Sequence, residues 1–110
     1  MSAPRTADVR PTSGLLRALA DDNRLRILAL LSGGEKCVCH LVSALELTQP
    51  NVSQHLTVLR NAGIVECERR GSWMWYRLAP DQDPARARIL AAVLEGVVVE
   101  GDTLPSQSCE

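Results

Sequence analysis

The chain has little aromatic character. Phenylalanine is missing, only 3% of the 110 residues are aromatic, and those residues (Trp73, Trp75 and Tyr76) stand together. A core must therefore be built from Leu, Val, Ile and Ala, which is common in helical domains. At this length the chain is expected to form one domain with a single modest core. The net charge of −1 argues against simple polycation behaviour, although the basic residues are unevenly placed.

Long apolar runs are missing as well. No stretch approaches the roughly 20 apolar residues of a membrane span, and the polar N-terminus has no apolar segment typical of a secretory signal. We therefore predict a cytoplasmic protein with no membrane partner. Catalytic motifs are also missing: there is no Cys-x-x-Cys pair, nucleophile elbow, phosphate-binding glycine loop or paired carboxylate set. An enzyme is therefore disfavoured.

The sequence divides into three parts. Residues 1–11 lack periodicity and are predicted to form a flexible arm, residues 12–100 the folded domain, and residues 101–110 a flexible tail. Within the domain, apolar spacing and capping residues predict five helices, near residues 12–20, 24–31, 35–47, 49–61 and 85–99. Two strands, at 64–68 and 73–78, are predicted to form a hairpin around the basic loop 69–72.

The stretch from Thr48 to Asn61 organises the rest. Thr48 is a capping residue and Pro50 suits only the first helical turn, so a helix begins here. Its apolar residues recur at intervals of three and four, which leaves a polar but uncharged outer face. Amide and hydroxyl groups can contact base edges in a major groove, although a merely soluble amphipathic helix is the alternative. The candidates for contact with DNA on this helix are Gln49, Asn51, Ser53, Gln54, His55 and Thr57.

A turn of three residues joins this helix to the one before it, which predicts a helix-turn-helix. The following hairpin is basic at its tip, so the predicted fold is a mainly α winged helix-turn-helix with about five helices and a two-stranded wing. Arginines near the second helix and on the wing are predicted to contact DNA phosphates. They are Arg60, Arg69, Arg70 and Arg77.

The last helix has a wide apolar face. Together with the first helix it provides more apolar surface than so small a core needs, which predicts a symmetric homodimer through these two helices. The predicted interface residues are Leu15, Leu16, Leu19, Ile89, Leu90, Val93, Leu94 and Val97.

Cys37 and Cys39 are the soft donors of the chain. Thiolates select soft ions, and in a reducing compartment a close pair is better interpreted as a ligand or redox pair than as a structural disulfide. On an intact helix residues i and i+2 project about 200° apart, so ion binding is expected to deform the helix before the DNA-reading helix and release DNA. The alternative is that both are small core residues. His40 is predicted to be an exposed polar residue, and Cys109 is a candidate third ligand.

Several phrases together resemble the ArsR/SmtB-type metalloregulatory repressors, over about 65 of the 110 residues. They are residues 18–28 (Ala-Leu-Ala-Asp-Asp-Asn-Arg-Leu-Arg-Ile-Leu), Cys37-Val38-Cys39, residues 49–56 (Gln-Pro-Asn-Val-Ser-Gln-His-Leu), Leu59-Arg60, Gly63-Ile64-Val65 and Trp75-Tyr76-Arg77-Leu78. The resemblance implies a homodimeric repressor that binds a palindromic operator and leaves it when a toxic ion binds. The cysteine pair is similar to that of the sensors of arsenite and antimonite, which implies As(III) or Sb(III) as inducer and no structural cofactor.

One position departs from the arsenic-sensing pattern. That pattern usually carries a third cysteine three residues after the second, where this chain has Val42. Cys109, Cys67 or a non-protein ligand could supply the third bond, and a two-thiolate site would favour a monosubstituted organoarsenical. No histidine lies between Pro84 and Glu110, so the family's zinc site is not supported. A Cd(II) sensor, or a repressor whose cysteines form a thiol redox switch, remains an alternative.

Overall fold

The computed structural model describes residues 8–80 and 82–97. Their elements, in chain order, are α1 (Arg10–Leu19), α2 (Asp22–Leu31), β1 (Lys36–Cys37), α3 (Val38–Leu45), α4 (Gln49–Asn61), β2 (Val65–Arg70), β3 (Trp73–Leu78) and α5 (Pro84–Gly96). The predicted winged helix-turn-helix is confirmed within these residues. The predictions for the tail after residue 97, including Cys109, and for residues 1–7 lie outside them.

The first helix begins earlier than predicted. α1 starts at Arg10, with Pro11 in its first turn, so residues 10 and 11 belong to the helix and not to an arm. Proline suits this position because its missing N–H would have no helical partner there. α2 is capped by Asp21, whose carboxylate accepts hydrogen bonds from the backbone N–H groups of Asn23 at 2.9 Å and Arg24 at 3.1 Å. The run of polar residues thus ends one helix and starts the next, as predicted.

The third helix is shorter than predicted, and a short strand replaces the first turn of the predicted helix. α3 begins at Val38, and Cys37 before it has an extended backbone with φ −81° and ψ 161°. Lys36 pairs with Tyr76 and Cys37 with Trp75 in antiparallel register. The wing is therefore a three-stranded sheet in the order β1-β3-β2 and not the predicted two-stranded hairpin. Pairing with β3, about 40 residues later in the chain, supplies the backbone hydrogen bonds that a helix would otherwise supply locally.

The second helix of the helix-turn-helix matches its prediction. Thr48 caps α4 by accepting a hydrogen bond from the Asn51 N–H at 3.3 Å. The turn before it opens at Glu46, which has a left-handed backbone with φ 56°. Three apolar side chains of α4, Val52, Leu56 and Leu59, are completely buried. The helix is consequently held by its predicted stripe, and its polar side is left outside.

The hairpin turn is tighter than predicted. β2 extends to Arg70, and the loop consists of Gly71 and Ser72 alone. Gly71 has φ +63°, which two-residue hairpin turns require at their first central position. Arg69 and Arg70 therefore lie on the strand, where alternation places them on opposite faces of the sheet.

α5 returns to the helical core. Asp83 caps it by accepting a hydrogen bond from the Arg86 N–H at 3.0 Å. The helix ends at Gly96, shorter than the prediction of residues 85–99, whose last two residues lie outside the described part. The side chains of Gln82 and Arg86 donate to the carbonyls of Gly63 and Ala62, which anchors the start of α5 to the end of α4.

The core is aliphatic, as the composition predicts. It joins all five described helices and the sheet, with Tyr76 as its one aromatic member among the described residues. The completely buried members of this core are Ile27, Leu28, Leu41, Val52, Leu56, Leu59 and Ile64.

Replacing Leu56 by Ala should lower the free energy of unfolding by about 2–5 kcal/mol, because it removes buried methyl groups and leaves a cavity between α4 and the core. Urea denaturation followed by circular dichroism would measure the change. The control is Thr57→Ala, one residue later on the exposed side, which should shift stability by no more than about 0.5 kcal/mol. Equal effects of the two substitutions would contradict the buried placement of Leu56.

Candidate nucleic-acid interface and cysteine site

The polar side of α4 is the exposed side of the helix-turn-helix. Gln49, Asn51, Gln54 and Thr57 are exposed, whereas Ser53 is half-buried. The Thr57 hydroxyl donates to the Ser53 carbonyl at 2.9 Å and so remains close to its own helix. Amides at exposed positions near a helix N-terminus can form paired hydrogen bonds with base edges.

His55 is placed differently from its neighbours on α4. Its side chain is only 18% exposed and turns towards the junction of α1 and α2. The Nδ1 atom lies 3.3 Å from Nη1 of Arg24 and 3.9 Å from Oδ1 of Asp21. The sequence places His55 on the DNA-facing side of an ideal helix, but this geometry favours a structural contact to the first two helices.

Arg24 connects the end of α1 with His55 on α4. Its guanidinium donates to the carbonyls of Ala18 at 2.7 Å and Arg17 at 3.2 Å, which are among the last carbonyls of α1. Its side chain is only 16% exposed. One arginine therefore binds the end of α1 and contacts α4 through His55. Sequence spacing gives no sign of this role, because the contacting residues are 31 positions apart.

Asp21 should make stability depend on acid pH. Its backbone hydrogen bond from Arg24 is the main cause that lowers the pKa of this carboxyl in the folded protein. The unfolded state, with a pKa near about 3.9, then binds more protons, so the cap's contribution is present above that pH and lost as pH falls through the folded pKa. Asp21→Asn retains a capping acceptor but should lose less stability than wild type between about pH 5 and pH 3. Urea unfolding of both proteins across this range tests the expectation, and parallel curves would contradict it.

Two of the predicted phosphate-binding arginines already have carboxylate partners. Arg70 pairs with Glu35 at 2.7 Å and Glu68 at 3.0 Å. Arg77 pairs with Glu66 at 2.6 Å and Glu68 at 3.1 Å. The hydrogen bond from Arg70 lowers the pKa of Glu35 and of Glu68, so both carboxylates remain ionised well into acid. We call these five residues the wing cluster.

Arg69 and Arg60 differ from the wing cluster. Arg69 is exposed and its Nε donates to the Gly71 carbonyl at 3.3 Å. Within residues 8–80 and 82–97 neither Arg69 nor Arg60 has a carboxylate within 4.0 Å. Their charge is therefore available to an anionic partner without displacing a carboxylate.

The salt dependence of DNA binding should separate the two kinds of arginine. Removing one phosphate contact reduces the slope of log K against log salt by about 0.9, hence by about 1.8 for a dimer in which both copies are changed. Arg69→Ala should show this reduction, whereas Arg77→Ala should show a smaller one because Glu66 and Glu68 already neutralise that side chain. Fluorescence anisotropy at several salt concentrations measures both slopes. A larger reduction for Arg77→Ala would contradict the assignment.

The two candidate ligand cysteines lie at the junction of β1 and α3. Cys37 is the residue before the helix and is 1% exposed, while Cys39 is the second helical residue and half-buried. Because Cys37 is extended, the separation of about 200° expected on a continuous helix does not apply. The prediction that an ion must deform the helix to reach both sulfurs is therefore wrong in its premise. Cys67, on β2, has a free thiol.

His40 is less exposed than predicted. The residue is half-buried, and its Nε2 atom is buried without a hydrogen-bond partner in the described part of the chain. Burial, followed by the charge of Lys36, lowers the pKa of this imidazole, so it remains neutral at physiological pH. Among the described residues, no group of three His, Cys, Asp or Glu side chains converges in a way that could hold a metal ion.

Cys67 belongs to the inner face of the sheet. It pairs with Tyr76 in the ladder and touches the phenol, whose pKa is raised chiefly by burial. Arg60, at the end of α4, also contacts this phenol. This placement favours a structural role for Cys67.

The predicted dimer residues separate into two groups. Leu15, Leu19 and Leu90 are already buried in the protomer's own core. Leu16 on α1 is 50% exposed, and Val9, the residue before α1, is 62% exposed. The remaining candidates on α5 are half-buried: Ile89, Val93, Leu94 and Val97.

None of the described helices is long and apolar enough to cross a membrane.

Comparison with known proteins places this fold in one family. The sequence model described as "Bacterial regulatory protein, arsR family" matches residues 21–66. A homodimeric winged helix-turn-helix DNA-binding domain from Mycobacterium bovis is 30% identical, with a TM-score of 0.68 over 84% of this chain and 86% of that chain. The chain belongs to the arsR family. This agrees with the prediction of a regulator and not an enzyme.

Curated members of the family include arsenic regulators. The arsenic resistance transcriptional regulator ArsR1 of Pseudomonas putida is 46% identical over 85 residues, which are 76% of this chain and 63% of the relative. The arsenical resistance operon repressor of Escherichia coli is 44% identical over 77 residues, 69% of this chain and 66% of the relative. The chain thus spans just under two thirds of the length of these two relatives.

Proposed function

We propose that this protein is a dimeric transcriptional repressor that binds a palindromic operator in the cytoplasm and leaves it when As(III) or Sb(III) binds Cys37 and Cys39. The observation that carries the proposal is the position of this cysteine pair. It spans the start of α3 of the helix-turn-helix, in a chain 46% identical to a protein named as an arsenic resistance regulator.

The DNA contacts are proposed to come from two elements. Gln49, Asn51 and Gln54 supply exposed amides for base edges, with Ser53 and Thr57 at the side of the same surface. Arg60 and Arg69 supply charge for phosphates, and Arg70 and Arg77 do so only by exchanging their carboxylates. His55 supports the reading helix from behind.

Dimerisation sets the spacing of the two reading helices. In a symmetric dimer the two α4 helices enter the major groove one helical turn apart, which requires a palindromic site. The exposed Leu16 and the half-buried apolar residues of α5 are the proposed contacts with the second copy.

The release mechanism is proposed to act at the strand-to-helix junction. Bonds from one ion to Cys37 and Cys39 would constrain β1 relative to the first turn of α3. α3 packs on α4, and β1 pairs with β3 of the wing, so both DNA-binding elements adjoin this junction. An ion that prefers one arrangement of the junction thereby changes DNA affinity, and DNA changes ion affinity by the same factor.

The coordination number depends on a third ligand. Two thiolates suffice for a monosubstituted organoarsenical, whereas arsenite prefers three. Cys109 is the proposed third donor, from either subunit, and Cys67 faces Tyr76 on the inner side of the sheet. X-ray absorption of the arsenite-loaded protein, with and without Cys109→Ser, would count the sulfurs.

A redox switch is the second candidate, and one observation favours it. Cys37 lies before α3 with an extended backbone, so the two sulfurs are not held about 200° apart on one helix, and that objection to a disulfide between them falls away. In this alternative, oxidation and not metalation moves the junction. A response of the reduced protein to peroxide but not to arsenite would select it.

Gel shift with the reduced protein tests the proposal, using a DNA duplex that the protein itself selects from a random library. Arsenite should abolish the shifted band for wild type. Cys37→Ser and Cys39→Ser should still bind the duplex but lose the response, because each retains only one of the two thiolates.

The matched control is Cys67→Ser, which removes a thiol elsewhere in the domain and should respond like wild type. If the wild-type complex ignores arsenite, or if either single variant responds normally, the assignment of the sensing site is overturned. If no duplex is selected at all, the assignment of DNA binding is overturned.

A further inference from the structure

Three groups hold Arg70 on the sheet, Glu35, Glu68 and Trp75, and two of them, Glu35 and Trp75, adjoin Cys37. Glu35 binds the guanidinium with two hydrogen bonds, from Nη1 at 2.7 Å and from Nη2 at 3.0 Å. The ring of Trp75 lies beneath it, with its centroid 5.2 Å from Cζ. Glu35 is two residues before Cys37 in the chain, and Trp75 is the cross-strand partner of Cys37.

The whole wing cluster lies on one face of the sheet. Glu66 pairs with Arg77 and Glu68 with Trp75 in the β2–β3 ladder, and residues two apart on a strand share a face. Glu35 approaches this face from β1 and reaches Arg77 as well, at 3.7 Å. Three carboxylates thus surround two guanidiniums, so a DNA phosphate has to displace a carboxylate before it can bind Arg70.

We propose that Glu35 is a positioning residue that competes with DNA phosphates for Arg70 and thereby passes changes at Cys37 to the wing. The inference rests on the proposed function for its DNA and its inducer. It adds a role for a residue outside the proposed ligands and the proposed DNA contacts.

The competition is balanced enough to be regulated. The side chains of Arg70 and Glu35 are 42% and 34% exposed, so water can replace either partner. Paired hydrogen bonds give the contact a defined geometry, which a displacement of the Cys37 strand would disturb. A neutral amide at position 35 retains the shape but loses the charge, so Arg70 should then be freer to bind DNA.

Fluorescence anisotropy of the full-length protein on the selected duplex tests this. Glu35→Gln in reduced, ion-free protein should raise DNA affinity roughly two- to fivefold, the usual size of an exposed ion pair. Glu46→Gln is the control: it removes the same charge three residues before α4, at an exposed position. It should raise affinity less, and Glu35→Asp, which retains the carboxylate, should remain nearer to wild type.

A double-mutant cycle identifies the partner. If Glu35 acts through Arg70, Glu35→Gln should have no effect on affinity in the Arg70→Ala background. An equal gain for Glu35→Gln and Glu46→Gln, or a gain that persists with Arg70→Ala, overturns the proposed competition.

The link to Cys37 is measured as the ratio of DNA affinities before and after arsenite. This ratio should be smaller for Glu35→Gln than for wild type, while the arsenite affinity in the absence of DNA is unchanged. If wild type responds and Glu35→Gln responds equally, the relay fails and the proposed function stands. If wild type responds neither to arsenite nor to oxidation, the proposed inducer and the proposed link from Cys37 to Arg70 are both refuted. The competition between Glu35 and DNA for Arg70 is then decided by the DNA affinities of the ion-free proteins.

Discussion

The pairing of β1 with β3 is the constraint on which the rest of this structure depends. Two residue pairs, Lys36 with Tyr76 and Cys37 with Trp75, draw the segment before α3 out of the helix and onto the wing. This sets where α3 begins, places the cysteines at a junction between strand and helix, and brings Glu35 within reach of the wing arginines. A junction can change its angle at low cost compared with an unbroken helix, which makes it a suitable place for a ligand to act.

Sequence patterns predicted the elements whose signals are local. The cap at Thr48, the proline at position 50 and the stripe of Val52, Leu56 and Leu59 gave α4 within one residue, because each signal lies inside the helix that it specifies. β1 has no such signal: two residues are too short for a period, and the strand exists only through partners about 40 residues later. Helical propensity alone therefore predicts that α3 begins about three residues too early and includes the residues of β1.

The candidate site was predictable by residue type but not by orientation. Helical spacing places His55 beside the other polar residues of α4, yet Arg24 and Asp21 lie within 4 Å and turn it inward. Likewise the basic composition of the wing predicted phosphate contacts, while Glu66 and Glu68, on the same strand face, neutralise much of that charge. Pairing within the protein cannot be read from a count of arginines, because it depends on which face each strand residue occupies.

The pairing of Cys37 with Trp75 places a natural fluorophore beside the cysteine site. Indole emission responds to nearby sulfur and to a nearby cation, and Trp75 is the cross-strand partner of the buried Cys37 and lies beneath the guanidinium of Arg70. Trp73, the other tryptophan, is 40% exposed near the hairpin turn and is the cross-strand partner of Arg70. Changes at Cys37 and at Arg70 therefore both occur next to Trp75, so the indole emission of one unlabelled sample can follow both.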